Sequence, residues 1–212
     1  MNILIIAAHP DDEVLGMGGT IKKLSKKNKI HLCVVSEGAS AQYDDNKMIQ
    51  IRKNSCIESG KILGISSYTF LDFPDMQLDS IPHLEINKKL EKVIKKIDPY
   101  VVYTTPSNDF NLDHQKVFES TLVVTRPISS NVKRLLCYEI PTYTKFPFNP
   151  SVYVNISKEI KLKIKAFQCY KSEIKKFPHP RSIESIKNLS KLRGMESGLD
   201  HAESFSLIRE IE

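Results

Sequence analysis

Over the first half of the chain, short apolar runs alternate with helix-period segments at a spacing of about 30 residues, the length of one βαβ unit. No other feature of the sequence restricts the fold as strongly. Asn2–Ala8, Ile30–Ser36, Tyr68–Leu71 and Tyr100–Thr104 are rich in Ile, Val and Tyr and read as strands. Between and after them, Glu13–Lys27, Asn46–Leu63, His83–Ile97 and Asp113–Thr125 carry helical spacing of apolar residues. The pattern predicts parallel strands joined by right-handed crossovers, a Rossmann-like three-layer α/β sandwich with a mainly parallel sheet. After Pro127 the pattern loosens. Arg134–Ile140 and Val152–Ile156 read as strands, Lys158–Lys176 as a long helix, and residues 177–181 (Phe-Pro-His-Pro-Arg) as an irregular loop. A short helix near Ile183–Arg193 and a last strand over Ala202–Arg209 follow. With no internal repeat, linker or low-complexity tract, residues 1–212 read as one domain: a βαβ core over 1–126, and strands and helices over 127–212 that complete a pocket.

The charge excludes more than it suggests. Net charge is +6, but it comes from 25 Lys against 6 Arg, and the Lys fall at helical spacings among Ile and Leu, as in Lys88, Lys89, Lys92, Lys95 and Lys96. These are solvated faces of amphipathic helices. Base readout and phosphate clamping favour Arg and stacked aromatics, and the chain has no Trp, so nucleic acid is not the expected partner. The four cysteines, Cys33, Cys56, Cys137 and Cys169, form no CxxC pair and read as reduced thiols. No segment approaches a membrane span, and the apolar run Ile3–Ala8 is too short for a signal-peptide core, so the expected home is the cytoplasm. A homo-oligomer is compatible with this surface.

The first strand candidate runs straight into His9, Pro10, Asp11, Asp12 and Glu13. Three adjacent acids repel one another unless a positive charge offsets them. A helix N-terminus supplies about half a charge, too little for three carboxylates, so a metal ion is the better candidate. In an open α/β sheet, ligands bind outside the carboxyl ends of the strands, where this cluster lies. A catalytic zinc site uses three protein ligands, commonly two His and a carboxylate. His9 and Asp12 supply two, and His114, in the loop after the fourth strand candidate, is the other histidine that follows a predicted parallel strand. His31 lies inside a strand, His83 opens a helix, and His179 and His201 come late in the chain. Taken alone, the set also fits a helix cap built from His9 and Asp12.

Residues 7–13 (Ala-Ala-His-Pro-Asp-Asp-Glu), Gly16-Met-Gly-Gly19 and residues 112–117 (Leu-Asp-His-Gln-Lys-Val) resemble the PIG-L/LmbE-like family of metal-dependent N-acetylglucosaminyl deacetylases. Residues 108–114, 138–141, 177–182 and 192–194 are similar to a bacterial branch associated with surface-sugar biosynthesis. The resemblance implies an LmbE-like fold over the whole chain and hydrolysis of an N-acetyl group from an amino sugar, releasing acetate. It implies His9, Asp12 and His114 as ligands of Zn²⁺, with Fe²⁺ a possible occupant of the same set, Asp11 as general base, and Asp113 as an acid that orients and tunes the site. The chemistry supports Asp11 independently: a carboxylate beside a ligand but pointing elsewhere suits proton transfer from water to the leaving nitrogen. Many family members carry a histidine three residues before the last metal histidine, whereas this chain has Asn111, which donates a hydrogen bond but no proton. Either Asp11 makes both transfers or His179 reaches in.

Two other readings compete. Gly16, Gly18 and Gly19 suggest a nucleotide-binding turn, but they fall inside the helix, and no acid ends the second strand cleanly. A non-catalytic metal- or sugar-binding relative, or another metal-dependent amidohydrolase, fits the motifs but leaves Asp11 without a use in the first case. Arg is scarce, and a planar guanidinium grips phosphate in a two-pronged geometry, so Arg52 and Arg181 join Asn111 and His179 as candidate substrate contacts for a small amino sugar carried on phosphate or a nucleotide.

Overall fold

A computed structural model describes residues 1–43, 45 and 47–212. Its elements are β1 (Asn2–Ala7), α1 (Asp12–Leu24), β2 (Lys29–Ser36), α2 (Lys47–Leu63), β3 (Ser67–Phe73), α3 (His83–Ile97), β4 (Val101–Thr104) and α4 (Leu112–Val124), followed by β5 (Arg134–Tyr138), β6 (Val152–Asn155), α5 (Ile160–Phe167), α6 (Ile183–Ser197) and β7 (Ala202–Glu210). The expected boundaries differ from these mostly by one or two residues, the usual scatter of fraying ends. The expected start of α2 at Asn46 lies outside the described residues.

The strands form one sheet in the order β3-β2-β1-β4-β5-β7-β6. β1 to β5 are parallel, and β7 runs antiparallel to both β5 and β6. β1 shows why both faces are covered. Ile3, Ile5 and Ala7 pack into one apolar core with residues of α1, α2 and α6, while Leu4, Ile6 and Ala8 pack into a second with residues of α3 and α4. A strand buried on both sides reads as a continuous apolar run, as this one does.

The connections run outward from β1 to β2 and β3 on one side, and from β4 to β5 on the other. The order therefore reverses between β1 and β4, and at such a switch point two strand-end loops diverge and leave a crevice. His9 follows β1 and His114 follows β4.

Two local features depart from the sequence expectation. α1 is broken at Met17, whose φ of −145° is not helical. The amides freed by the break, Gly19 N–H and Thr20 N–H, donate to the Glu203 carboxylate, which also receives Lys163 Nζ at 2.7 Å. Gly19 passes so close to Ile156 that an added Cβ would lie 2.7 Å from its Cγ2. The helix expected over Lys158–Lys176 stops at Phe167. From Cys169 to Glu173 the backbone bonds reach back three residues instead of four, as in Tyr170 N–H to Phe167 O. This tighter winding carries Tyr170 and Glu173 inward, where they meet Glu13 and Arg52.

Candidate metal centre

His9, Asp12 and His114 meet at the switch point, and all three are buried. Nδ1 of His9 lies 3.2 Å from Nε2 of His114. Oδ2 of Asp12 lies 3.5 Å from the first nitrogen and 3.4 Å from the second. Ligand atoms about 2.0–2.2 Å from a tetrahedral ion stand roughly 3.3–3.6 Å apart, so the triangle matches one face of such a shell.

The far nitrogens decide how the near ones are used. His114 Nδ1 faces Asp109 Oδ2 at 2.6 Å, and His9 Nε2 faces Asp113 Oδ2 at 3.0 Å and Asp75 Oδ1 at 3.3 Å. Each far nitrogen carries a proton toward a carboxylate. In neutral imidazoles the near nitrogens then present two bare lone pairs to each other and to a carboxylate oxygen, with no donor among them. Burial would lower both imidazole pKa values. The hydrogen bonds and charges of Asp113 and Asp12 outweigh it at His9, which is pushed up to about 10. At His114 the charge of Asp12 and the hydrogen bond to Asp109 do the same, up to about 9. The pocket is thus built to hold positive charge. A cation in place of those protons fits two imidazole nitrogens and one carboxylate oxygen, a set suited to Zn²⁺ or Fe²⁺.

Asp113 is locked from both sides. Its Oδ2 also accepts Met76 N–H at 2.9 Å, and its Oδ1 accepts Leu78 N–H at 3.0 Å, so the loop after β3 clamps the carboxylate that holds His9. Asn111 caps α4: its Oδ1 accepts Asp113 N–H at 2.8 Å, and its Nδ2 points to Met76 Sδ at 3.4 Å.

Asp11 sits beside the triangle in different surroundings. Its backbone φ is 133°, a conformation a non-glycine residue rarely adopts and one that concentrates at functional sites. The side chain is fully buried, and among the described residues neither carboxylate oxygen receives a hydrogen bond. Arg52 NH2 stands 3.5 Å from Oδ1, and Arg181 NH1 stands 3.7 Å from Oδ2. Burial pushes the Asp11 pKa above the ordinary carboxylate range, while Arg181 and then Arg52 pull it down. Glu13 caps the turn by accepting Asp11 N–H at 3.1 Å and receives Tyr170 Oη–H at 2.6 Å. Burial raises its pKa to about 8 in spite of the Tyr170 bond.

The arginines sit differently from the sequence expectation. Arg52 is only 2% exposed and lies beneath the site rather than at its mouth. Its NH1 pairs with Glu173 Oε1 at 2.6 Å, and its NH2 donates to Pro10 O at 2.7 Å. Helix α2 opens at the strand-end edge, but a guanidinium so far inside finds buried carboxylates before it meets solvent. Arg181 is nearer the surface and pairs with the other oxygen of Glu173 at 2.7 Å. His179 is exposed on the same loop, and its Nδ1 accepts Arg181 N–H at 3.0 Å. Asp75, Asp109, Tyr170 and Glu173 were not singled out in the sequence. For Asp75 and Asp109 a signal existed, since each follows a parallel strand at the ligand-binding edge. Tyr170 and Glu173 lie in a stretch that reads as plain amphipathic helix.

Comparison with known proteins agrees with this geometry. Residues 4–125 match the family described as PIG-L: GlcNAc-PI de-N-acetylase. The chain is 31% identical over 179 residues to the uncharacterized deacetylase YaiS of Escherichia coli (strain K12), covering 80% of this chain and 90% of that one. It is 32% identical over 106 residues to diacetylchitobiose deacetylase of Thermococcus kodakarensis, covering 47% of this chain and 39% of that protein. The solved structure of N,N'-diacetylchitobiose deacetylase from Pyrococcus horikoshii superposes with a TM-score of 0.84 at 23% identity, covering 98% of this chain and 84% of that one, and shows a shared fold. With more than half of its length matched from the first strand through α4, and its His-Pro-Asp-Asp-Glu turn at the switch point of the sheet, the chain belongs to the PIG-L family.

Proposed function

We propose that this protein is a metal-dependent hydrolase that removes the N-acetyl group from an N-acetylglucosamine-type sugar, releasing acetate and the free amine. The observation that carries the reading is the pairing of a cation-demanding triangle, His9, Asp12 and His114, with a buried carboxylate that receives no hydrogen bond among the described residues, Asp11. The family and its deacetylase relatives support the same reaction class. Residues 1–212 act as one unit in this reading, since Tyr170, Glu173 and Arg181 of the second half contact Glu13, Arg52 and Asp11 of the first.

Zn²⁺ is the proposed ion, and when bound it supplies Lewis acidity and lowers the pKa of water to about 7. The chain supplies the rest. Asp11 takes a proton from the attacking water and delivers it to the departing nitrogen. Its free oxygens are available for that proton, the two guanidiniums favour the ionised form before the first transfer and after the second, and between the two Asp11 carries the proton as a neutral carboxylic acid. Asp113 and Asp109 hold the two imidazoles in the tautomers that direct His9 Nδ1 and His114 Nε2 inward. Asn111 fixes the first turn of α4, and so the placement of Asp113 and His114.

A phosphate or nucleotide carrier on the sugar draws little support from the arginines, because Arg52 and Arg181 are already matched by Asp11 and Glu173. Among the described residues no helix is long and apolar enough to cross a membrane. The reading is tested by acetate release from N-acetylglucosamine substrates with protein depleted of metal and then reloaded with Zn²⁺ or Fe²⁺. Activity that is absent without metal and restored by one of these ions supports it. Activity unaffected by chelation overturns it.

A further inference from the structure

Folding separates the two signs of charge. Among the described residues ten carboxylates are buried, most of them around the metal centre, but only two of the 31 basic side chains, Arg52 and Lys163. The outside of the molecule keeps 29 basic groups against at most 15 acidic ones. The net charge of +6 therefore understates the charge that a partner meets.

Part of this excess gathers on one face. A groove of about 590 Å³ runs between the last turn of α1 and the segment entering α5, lined by Lys23, Lys26, Lys27 and Lys158. A second groove, of about 380 Å³, runs between α5 and α6 and is lined by Lys161, Lys187 and Lys191. The two meet where Ser157 Oγ, on the first, accepts His201 N–H, on the second, at 3.2 Å. All seven lysines are exposed. The one carboxylate among the lining residues, Glu159, is held by Lys26 at 2.8 Å, and among the described residues the other six lysines make no salt bridge. Their ammonium groups repel one another, and an anionic surface laid across them relieves that repulsion.

The chemistry of the face selects the kind of anion. Neither Arg nor Phe, Tyr or Trp lines either groove, so the planar forks and stacking rings that grip nucleic acid are missing from the lining. Lysine is a point charge on a flexible stem, suited to a diffuse layer of headgroups that offers no fixed geometry. Leu24, Ile160 and Ile164 give the lining an apolar part beneath the charged heads. Such an association lies on a bilayer and needs no helix that spans it. Asp12 opens α1 and Lys23 lies in its last turn, roughly 16 Å away by the rise of a helix, so a bilayer on this face leaves the metal centre open.

We propose that the face formed by the end of α1, the start of α5 and the exposed side of α6 docks the protein on an anionic lipid bilayer. The docking adds a location to the deacetylase reading and does not depend on it.

The test is co-sedimentation of the full chain with vesicles of phosphatidylcholine alone, or of equal parts phosphatidylcholine and phosphatidylglycerol. Binding is expected only to the anionic vesicles in about 0.1 M NaCl, and is lost in about 1 M NaCl as the Debye length shrinks from about 10 to about 3 Å. Each ammonium near such a surface strengthens binding about fivefold, so Lys158→Gln with Lys161→Gln should weaken it about 25-fold. Lys92→Gln with Lys96→Gln makes the same change of net charge on α3, which is exposed on the other side of the sheet, and should leave binding almost unchanged. Thermal melting checks that both double variants are folded. Equal loss in the two folded variants would mean that net charge alone acts, and would overturn the face. No binding to the anionic vesicles, or equal binding to both kinds, would overturn it as well. Retention of duplex DNA in place of the vesicles, abolished by the α5 pair, would assign the face to nucleic acid instead.

Discussion

His9 and His114 are 105 residues apart in the chain, yet their Nδ1 and Nε2 atoms lie 3.2 Å apart. Both residues hand their other ring nitrogen to a carboxylate, so this approach is unfavourable without positive charge between the rings. His114→Ala should therefore lose bound metal, measured by elemental analysis of purified protein, together with activity. Full metal content in that variant would place the ion elsewhere. Thermal melting gives a second readout: the unmodified protein should melt higher with Zn²⁺ than with chelator, and His114→Ala should show a much smaller difference.

Asp11 and Asp12 are adjacent in sequence and opposite in their surroundings. Asp12 is held at the triangle, receiving His9 N–H at 2.8 Å, whereas Asp11 faces two guanidiniums with no hydrogen bond to its oxygens among the described residues. Asp11→Asn should keep the metal and lower kcat by at least about 10²-fold, the scale of lost general-base help. If Asp11 makes both proton transfers, His179→Ala should preserve the alkaline limb of the pH–rate profile. Loss of that limb would identify His179 as the acid.

Asp109 and Asp113 meet the proposed metal site through the imidazoles of His114 and His9. Removing the partner that orients a metal-bound histidine typically costs about 10–100-fold in metal affinity or activity. Asp109→Asn keeps the shape and weakens the hold on His114 Nδ1, so the Zn²⁺ dissociation constant, measured by competition with a chromogenic chelator, should rise within that range. Asp113→Asn should do the same and also loosen the Met76–Leu78 loop, read as faster amide exchange at those two residues.

Much of this was legible before any coordinates. The βαβ alternation placed four parallel strands, and the crowding of charge at residues 9–13 marked the sheet edge where His9, Asp12 and His114 come together. The strand-end rule singled out His114 among six histidines. What remained hidden depends on contacts between distant segments. Arg52 has the helical setting of a surface residue, and only the packing of the turn after α5 shows that Glu173 draws it inward. The stop of α5 at Phe167 is invisible to periodicity, because Tyr170 and Glu173 sit at spacings a continuous helix would also use. The break in α1 is hidden for the same reason: its stabilising group, Glu203, lies 184 residues from Gly19.

The Arg52–Glu173 pair makes a stability prediction. Both side chains are almost completely buried, at 2% and 1% exposure, and the same guanidinium faces Asp11. Removing one partner of a buried pair leaves an uncompensated charge, which costs about 3–5 kcal/mol. Arg52→Ala should destabilise the fold by about that amount in urea titration. A loss under about 1 kcal/mol, the range of exposed pairs, would mean that solvent reaches the cluster.

Arg181 reaches the same two carboxylates from the solvent side, with its side chain 26% exposed, so its removal should be tolerated structurally while changing the chemistry. Burial raises the Asp11 pKa, and the charge of Arg181 is the largest influence opposing it. A group with a raised pKa becomes the ionised base only at higher pH, and deleting a nearby cation raises the pKa further. Arg181→Gln should therefore move the acid limb of the kcat–pH profile to higher pH and lower activity most on the acid side, with the plateau at alkaline pH affected least. Arg181→Lys restores a positive charge without the planar fork and should bring the limb part of the way back. If Arg181 served only to pack the 177–182 loop, Gln and Lys would depress activity evenly across pH. A limb that stays in place in both variants would separate Arg181 from the protonation of Asp11.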